Sequence, residues 1–197
     1  IRYNMNMVVM LFDNEIYGLT KGQTSPTSRT GTRSSTHPTG SVLPALNPLT
    51  VTLGVSNVSF VAQTVDWNPG HMMATLEAAY QHQGFSFVRI IQRCPHFAKG
   101  LHDAEQTNPD STLYLNHERG ITLPEEQARI YKNRAEHDPS DLVAGVAHAT
   151  EKELIPIGLF YHDPECMRYD DIGAANIDTT PEHKLATIHR ELDRFAV

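Results

Sequence analysis

The sequence predicts an α/β fold in which a mostly parallel sheet is flanked by helices and followed by a C-terminal extension. Three observations carry that expectation. Apolar runs of strand length alternate with segments whose apolar residues recur at helical spacing, the βαβ order of a parallel sheet. The run Met7-Val8-Val9-Met10-Leu11-Phe12 is unbroken by polar residues, as expected of a strand covered on both faces. Asn47-Pro48 and Asn68-Pro69 each offer an N-cap and a first-turn proline where a helix should begin.

Taken in order, the first strand ends at Asp13-Asn14, so a polar pair falls at its carboxyl end, where open α/β sheets bind ligands. Gln23 to Ser41 is dense in Ser, Thr, Gly and Pro and reads as a long loop, a lid or a subunit contact. Asn47-Pro48 opens a short helix with Leu49, Val51, Leu53 and Val55, and Val58 to Thr64 is the next strand. The helix from Asn68-Pro69 carries Met72, Met73, Leu76, Ala79 and Tyr80 at helical spacing, with its methionines assigned to the core. Gly84 stops it before the strand Phe85 to Gln92, which leads to Cys94.

The second half is more polar. Lys99 to Asp138, punctuated by Asn108-Pro109, Gly120 and Leu123-Pro124, reads as a meandering arm that packs on a partner subunit. Ser140-Asp141 caps a helix through Ala149, and Leu154 to Tyr161 is a strand that Pro156 demotes to an edge or a bulge. Thr180-Pro181-Glu182 starts a last helix with Leu185, Ile188, Leu192 and Phe195 on one face.

Composition narrows the function classes. A chain of 197 residues, 40% of them hydrophobic, can bury one sizeable core, with room for a second small lobe. A formal net charge of -7, with no cluster of Lys and Arg, argues against a nucleic-acid partner. No run approaches a membrane span, and Ile1-Arg2-Tyr3-Asn4 lacks the basic lead of a signal peptide, so the expected location is cytoplasmic with no membrane partner. Cys94 and Cys166 are too few and too far apart for a disulfide framework, and Cys166 reads as structural. The eleven histidines offer no zinc-like spacing beside a carboxylate, and His37 alone, in the loop, is expected to face substrate.

The chemistry concentrates in Asp13-Asn14-Glu15-Ile16-Tyr17-Gly18-Leu19-Thr20-Lys21-Gly22-Gln23, followed by Ser25-Pro26-Thr27. A diphosphate held in a crevice requires a divalent cation, and amide or backbone carbonyl oxygens are hard, neutral donors suited to Mg²⁺. A glycine such as Gly18 admits close approach of a ligand to the backbone. Lys21, bracketed by glycines, is in its own terms a solvated charge; beside a dicarboxylate substrate it would steer the carboxylate.

This run resembles the second half of the thiamine diphosphate motif of 2-oxoacid:ferredoxin oxidoreductase β subunits, especially the 2-oxoglutarate type. The likeness continues through Asn47-Pro48 and the strand ending at Cys94. It implies a thiamine diphosphate-binding fold whose C-terminal part spans residues 1–100, with residues 101–197 as the β-subunit extension. It also implies that the chain is N-terminally incomplete, because the family's Gly-Asp-Gly run and its Cys-x-x-Cys pair have no counterpart before Met7.

By the same resemblance Asn14 and the carbonyl of Ile16 ligate Mg²⁺, and Ile16, Tyr17, Gly18, Leu19 and Thr20 bind the cofactor. Leu19 presses on the bent cofactor to favour the reactive carbon, and Lys21 serves the substrate, so these two are the expected catalytic residues. Cys94 stands where the family has the fourth ligand of a [4Fe-4S] cluster, and Arg93 and His96 beside it would either lower its thiolate's pKa or only face solvent. The implied activity is oxidative decarboxylation of a 2-oxoacid to acyl-coenzyme A, with electrons leaving through the cluster to ferredoxin, in a complex with an α subunit. Two alternatives stay open: a non-oxidative thiamine diphosphate enzyme without a cluster, and a non-catalytic scaffold subunit.

Overall fold

In the computed structural model, which describes residues 1–174 and 180–195, the strands in chain order are β1 (Met7–Asp13), β2 (Ile16–Tyr17), β3 (Gln23–Thr24), β4 (Phe60–Val65), β5 (Phe85–Ile91), β6 (Thr112–Asn116), β7 (Asn133–Glu136) and β8 (Ile155–His162). Six of them form one sheet in the order β1-β5-β4-β8-β6-β7. β1, β5 and β4 are mutually parallel, β8 runs antiparallel to β4, and β6 and β7 run parallel to β8. The mostly parallel α/β architecture expected from the alternation is therefore observed.

The helices are α1 (Pro48–Leu53), α2 (Pro69–Gln81), α3 (Asp103–Thr107), α4 (Glu125–Ala128), α5 (Leu142–Ala149), α6 (Tyr169–Ala174) and α7 (Pro181–Asp193). Their starts follow local chemistry. The side-chain oxygens of Asn47, Asn68, Asp141 and Thr180 accept backbone N–H groups of the first turns, with proline in the first turn of α1, α2 and α7. α1 and α5 pack on one face of the sheet with Val61, Phe87 and Phe160, and α2 covers the other face over Phe60, Ala62, Val88, Ile90 and Leu159. Alternate residues of β4 thus feed two cores, which leaves all six of its residues buried.

Four expectations are corrected. β1 is not covered on both faces: among the described residues it pairs with β5 alone, so it is an edge strand of this sheet, and Met7, Met10 and Phe12 remain half exposed. The segment from Lys99 to Asp138 is not a meandering arm, because it contributes β6 and β7 to the sheet. β8 lies inside the sheet between β4 and β6, and Pro156 makes neither an edge strand of it nor a bulge at its own position: the shift of register against β4, between Val61 and Ala62, falls opposite Leu159 to Tyr161, and Pro156 pairs in register with Leu113 of β6. On α2 the buried residues are His71, Thr75 and Ala79, whereas Met73 and Tyr80 point to solvent.

That last correction has a specific cause. Most polar groups on the inner face of α2 are satisfied at home: Thr64 Oγ1 meets His71 Nδ1 at 2.8 Å, and Thr75 Oγ1 donates to the His71 carbonyl, while His71 Nε2 has no partner among the described residues. Satisfied polar groups can be buried at little cost, so apolar periodicity alone misplaces the face. The apolar face of α7 exists as expected, but Leu185, Ile188, Leu192 and Phe195 are all exposed.

Candidate functional site

β1 delivers Asp13 to its carboxyl end as a buried carboxylate, and the strands beside it supply the partner. Arg89 Nη2 reaches Asp13 Oδ2 at 2.6 Å from β5, and Arg89 Nη1 donates to Gln63 Oε1 of β4 at 3.1 Å. Gln63 Nε2 in turn donates to the carbonyl of Pro156 on β8. A row of buried polar groups therefore crosses four strands and ends beneath the motif. The other oxygen of Asp13 accepts the Thr27 hydroxyl at 2.6 Å and the Glu15 amide at 3.2 Å, which ties the loop after β3 to the turn that follows β1.

That turn is a sequence of local devices. Asn14 Oδ1 accepts the amide of Ile16 at 3.3 Å, an Asx turn. Glu15 adopts the left-handed region with φ +57, and Ile16 is buried. β2 and β3 then pair as a small antiparallel ribbon, with Ile16 opposite Thr24 and Tyr17 opposite Gln23. Between them the chain turns through Lys21 and Gly22, both at positive φ, with the Gly22 amide donating to the Tyr17 carbonyl at 3.0 Å.

The expected site residues thus lie on one turn and its ribbon. Asn14, Ile16 and Tyr17 line a cavity of about 390 Å³ together with Leu11, Phe12 and Phe87. Leu19 is fully exposed at the ribbon tip, Lys21 is exposed beside it, and the Thr20 hydroxyl bonds Gln23 Oε1 at 2.9 Å. Asn14 offers a neutral amide oxygen, a donor of the kind Mg²⁺ takes, which here accepts the Ile16 amide, and the carbonyl of Ile16 lies two residues along the same turn. Among the described residues, no group of three or more His, Cys, Asp or Glu side chains is gathered to hold a metal. His37 is drawn to the loop itself, where its Nδ1 meets Thr24 Oγ1 at 2.6 Å.

Cys94 lies past the end of β5, at the same edge of the sheet as the motif. It lines a second cavity, of about 340 Å³, with Asp66, Arg93, Lys99 and Asp103. Burial pushes its thiol up, but backbone N–H groups of Phe97, His96 and Ala98 directed at the sulfur outweigh this and hold it below the ordinary thiol range. Of the two readings of Arg93 and His96, their side-chain charges are not what lowers the thiol. Arg93 is engaged with Asp66 and Gln106, and His96 is exposed. One thiolate fits one ligand position of an iron–sulfur cluster, which needs several.

Several residues of this region carried no distinguishing pattern in the sequence. Glu15 faces Arg29 Nε at 3.0 Å and His102 Nε2 at 3.4 Å. Burial pushes the Glu15 carboxyl up, yet His102 and the Arg29 guanidinium hold it below the usual carboxylate value. Ser28 donates to the Glu15 carbonyl. Arg89 could have been singled out as the charge inside an otherwise apolar strand; His102, one histidine among eleven, could not.

Comparison with known proteins shows which families the chain resembles. Residues 1–90 match the C-terminal TPP-binding domain of thiamine pyrophosphate enzymes, and residues 127–175 match the C-terminal region of the pyruvate ferredoxin oxidoreductase β subunit. The chain is 30% identical over 193 residues to a 2-oxoacid:ferredoxin oxidoreductase β subunit from Sulfolobus sp, covering 93% of this chain and 59% of that one. It is 42% identical over 104 residues to 2-oxoglutarate oxidoreductase subunit KorB of Mycobacterium tuberculosis, covering 53% of this chain and 28% of the relative. The fold superposes with a TM-score of 0.72 and 29% identity on 2-oxoglutarate:ferredoxin oxidoreductase from Magnetococcus marinus, solved with 2-oxoglutarate, coenzyme A and succinyl-CoA bound, over 95% of this chain and 59% of that one. The chain therefore spans less than two thirds of the length of these relatives.

Proposed function

The chain belongs with its homologues, the β subunits of 2-oxoacid:ferredoxin oxidoreductases, and on that premise we propose that it serves the thiamine diphosphate-dependent oxidative decarboxylation of a 2-oxoacid, 2-oxoglutarate by preference, in complex with an α subunit. Coenzyme A takes the acyl group and ferredoxin takes the electrons. The observation that carries this reading is the Asp13-anchored turn, which holds Asn14 and Ile16 at the carboxyl edge of the sheet beside the Cys94 segment.

In this reading the Asn14 amide oxygen and the Ile16 carbonyl hold Mg²⁺ against the diphosphate. Tyr17, Gly18 and Thr20 line the cofactor's path along the ribbon, where Gly18 lets the backbone come close. Leu19, exposed at the ribbon tip, meets the cofactor, and Lys21 draws the substrate carboxylate toward it. Bound thiamine diphosphate supplies the electron sink for loss of CO₂. Cys94 contributes one thiolate to a [4Fe-4S] cluster, its negative charge favoured by the surrounding amides.

The test is cofactor titration by calorimetry on the assembled enzyme, with and without Mg²⁺, followed by 2-oxoglutarate-dependent, coenzyme A-dependent reduction of ferredoxin. Mg²⁺-dependent binding and ferredoxin reduction are expected. Absence of cofactor binding would refute the proposal, whereas binding and CO₂ release without iron or ferredoxin reduction would favour a non-oxidative enzyme.

A further inference from the structure

The segment that follows Cys94 touches the cofactor loop at two places, and each contact is built from an unusual backbone position. Gly22 has φ +85, and a β-carbon there would lie 2.8 Å from Phe97 Cδ1, so the ring of Phe97 lies directly against the loop backbone. At Gly18 the corresponding distance to the same ring is 3.7 Å, an ordinary contact. Phe97 also directs its own backbone N–H toward the Cys94 sulfur. One residue therefore contacts the proposed cluster ligand through its main chain and the proposed cofactor loop through its side chain.

The second contact lies on the other side of the turn. His102 takes φ +64, a strained conformation for a non-glycine residue, and its ring is almost wholly buried. The ring lies 5.7 Å from that of Trp67, and Nε2 and Nδ1 are directed at Glu15 and Glu105. Glu15 is the left-handed residue between Asn14 and Ile16, so pinning its carboxylate fixes the direction in which both neighbours point. Left-handed backbone at both ends of one contact is retained only where surrounding contacts over-determine it.

We propose that Phe97 and His102 are positioning residues for the cofactor loop, Phe97 acting through Gly18 and Gly22 and His102 through Glu15, so that the Cys94 segment and the Asn14–Gln23 loop order one another. This rests on the functional reading above and extends it: order imposed at either site favours occupancy of the other by the same factor, as linkage requires.

The experiment compares Phe97→Ala, Phe97→Leu, His102→Ala and a distant control, Tyr80→Ala, in the assembled enzyme. Hydrogen exchange of the peptide covering residues 14–23 in cofactor-free enzyme tests the docking itself, independently of any bound group. Titration of Mg²⁺-thiamine diphosphate and iron analysis test its consequence. Phe97→Ala and His102→Ala should speed exchange in that peptide and weaken cofactor affinity roughly fivefold to thirtyfold. Phe97→Leu should restore most of both, and Tyr80→Ala should change neither. Phe97→Ala should also lower iron content, and stripping iron from wild type should weaken the cofactor by a matching factor. Unchanged exchange in both alanine variants would overturn the proposal; so would faster exchange with wild-type cofactor affinity and iron content. Failure of wild type to bind thiamine diphosphate, with exchange responding as expected, would instead refute the functional reading and leave the docking standing.

Discussion

Arg89 and Asp13 form an ion pair across β5 and β1, 2.6 Å apart, in which the carboxylate is almost fully buried and the guanidinium is one-sixth exposed. Asp13 uses its second oxygen to hold the Glu15 amide and the Thr27 hydroxyl, so the charge pair inside the sheet also sets the start of the turn proposed for the cofactor. Removing one partner of such a pair leaves an uncompensated buried charge, at a cost of about 3–5 kcal/mol. Arg89→Met should therefore lower stability by about that amount in denaturant melts. Asp13→Asn keeps an acceptor for Thr27, and adding it to Arg89→Met should recover part of the loss. A fully additive double mutant would show that the pair carries no coupling.

Asn14→Ala deletes the amide oxygen proposed for Mg²⁺ and the acceptor of the Ile16 amide. Titration of the assembled enzyme should show Mg²⁺-thiamine diphosphate affinity reduced at least tenfold, about 1.4 kcal/mol. Unchanged affinity would place the metal elsewhere.

Leu19 is fully exposed and packs on nothing that stabilises the fold among the described residues. Leu19→Ala should leave the thermal midpoint nearly unmoved, within about 0.5 kcal/mol, as for a surface change. It should nonetheless reduce turnover, since the side chain's proposed work is done against the cofactor. Loss of stability without loss of turnover would assign Leu19 to the fold.

Cys94→Ser replaces the thiolate within its ring of backbone amides. In enzyme prepared without oxygen, iron content and the visible thiolate-to-iron absorption should fall, with ferredoxin reduction lost even where CO₂ release survives. Full iron occupancy and normal ferredoxin reduction in the variant would make Cys94 purely structural.

Acid should weaken the fold through its buried histidines. Burial first, and the neighbouring His162 second, push His82 down from 6.5 to about 4, and burial pushes His71 to about 3. The neutral rings are wired together: His82 Nδ1 faces His162 Nε2 at 3.2 Å, and His82 Nε2 faces Ser59 Oγ, which donates to Asn4 Oδ1. Because both pKa values are depressed, the unfolded chain binds protons that the native chain refuses. Stability is therefore full above pH 6.5 and falls as pH drops from 6.5 toward 4. Denaturant midpoints at pH 7 and pH 5 should show the decline before most carboxylates titrate, and His82→Gln should flatten it. An equal slope in the variant would remove His82 as a cause.

Short-range chemistry was legible in the chain itself. The caps at Asn47, Asn68, Asp141 and Thr180, the βαβ alternation and the turn after Asp13 each depend on residues within a few positions of one another. The whole expected cofactor set from Asn14 to Lys21 was contiguous for the same reason: one turn and one ribbon carry it. Tertiary structure alone decided the rest. The apolar run of β1 cannot say whether another strand lies beside it, because side-chain pattern records faces and not edges; here only β5 does. Pro156 is tolerated in an interior strand because the pairing of β8 with β4 runs from Gly158 to His162, so the missing N–H falls outside that ladder, and polar Thr64 and Thr75 are buried because His71 meets them. The contacts of Arg89 with Asp13, Phe97 with Gly22 and His102 with Glu15 join positions some 75 to 87 residues apart. No local period encodes such pairings; they exist only once parallel strands bring their carboxyl ends to one edge, which is why the contiguous turn proposed as the site could be named from the sequence and the partners that hold it could not.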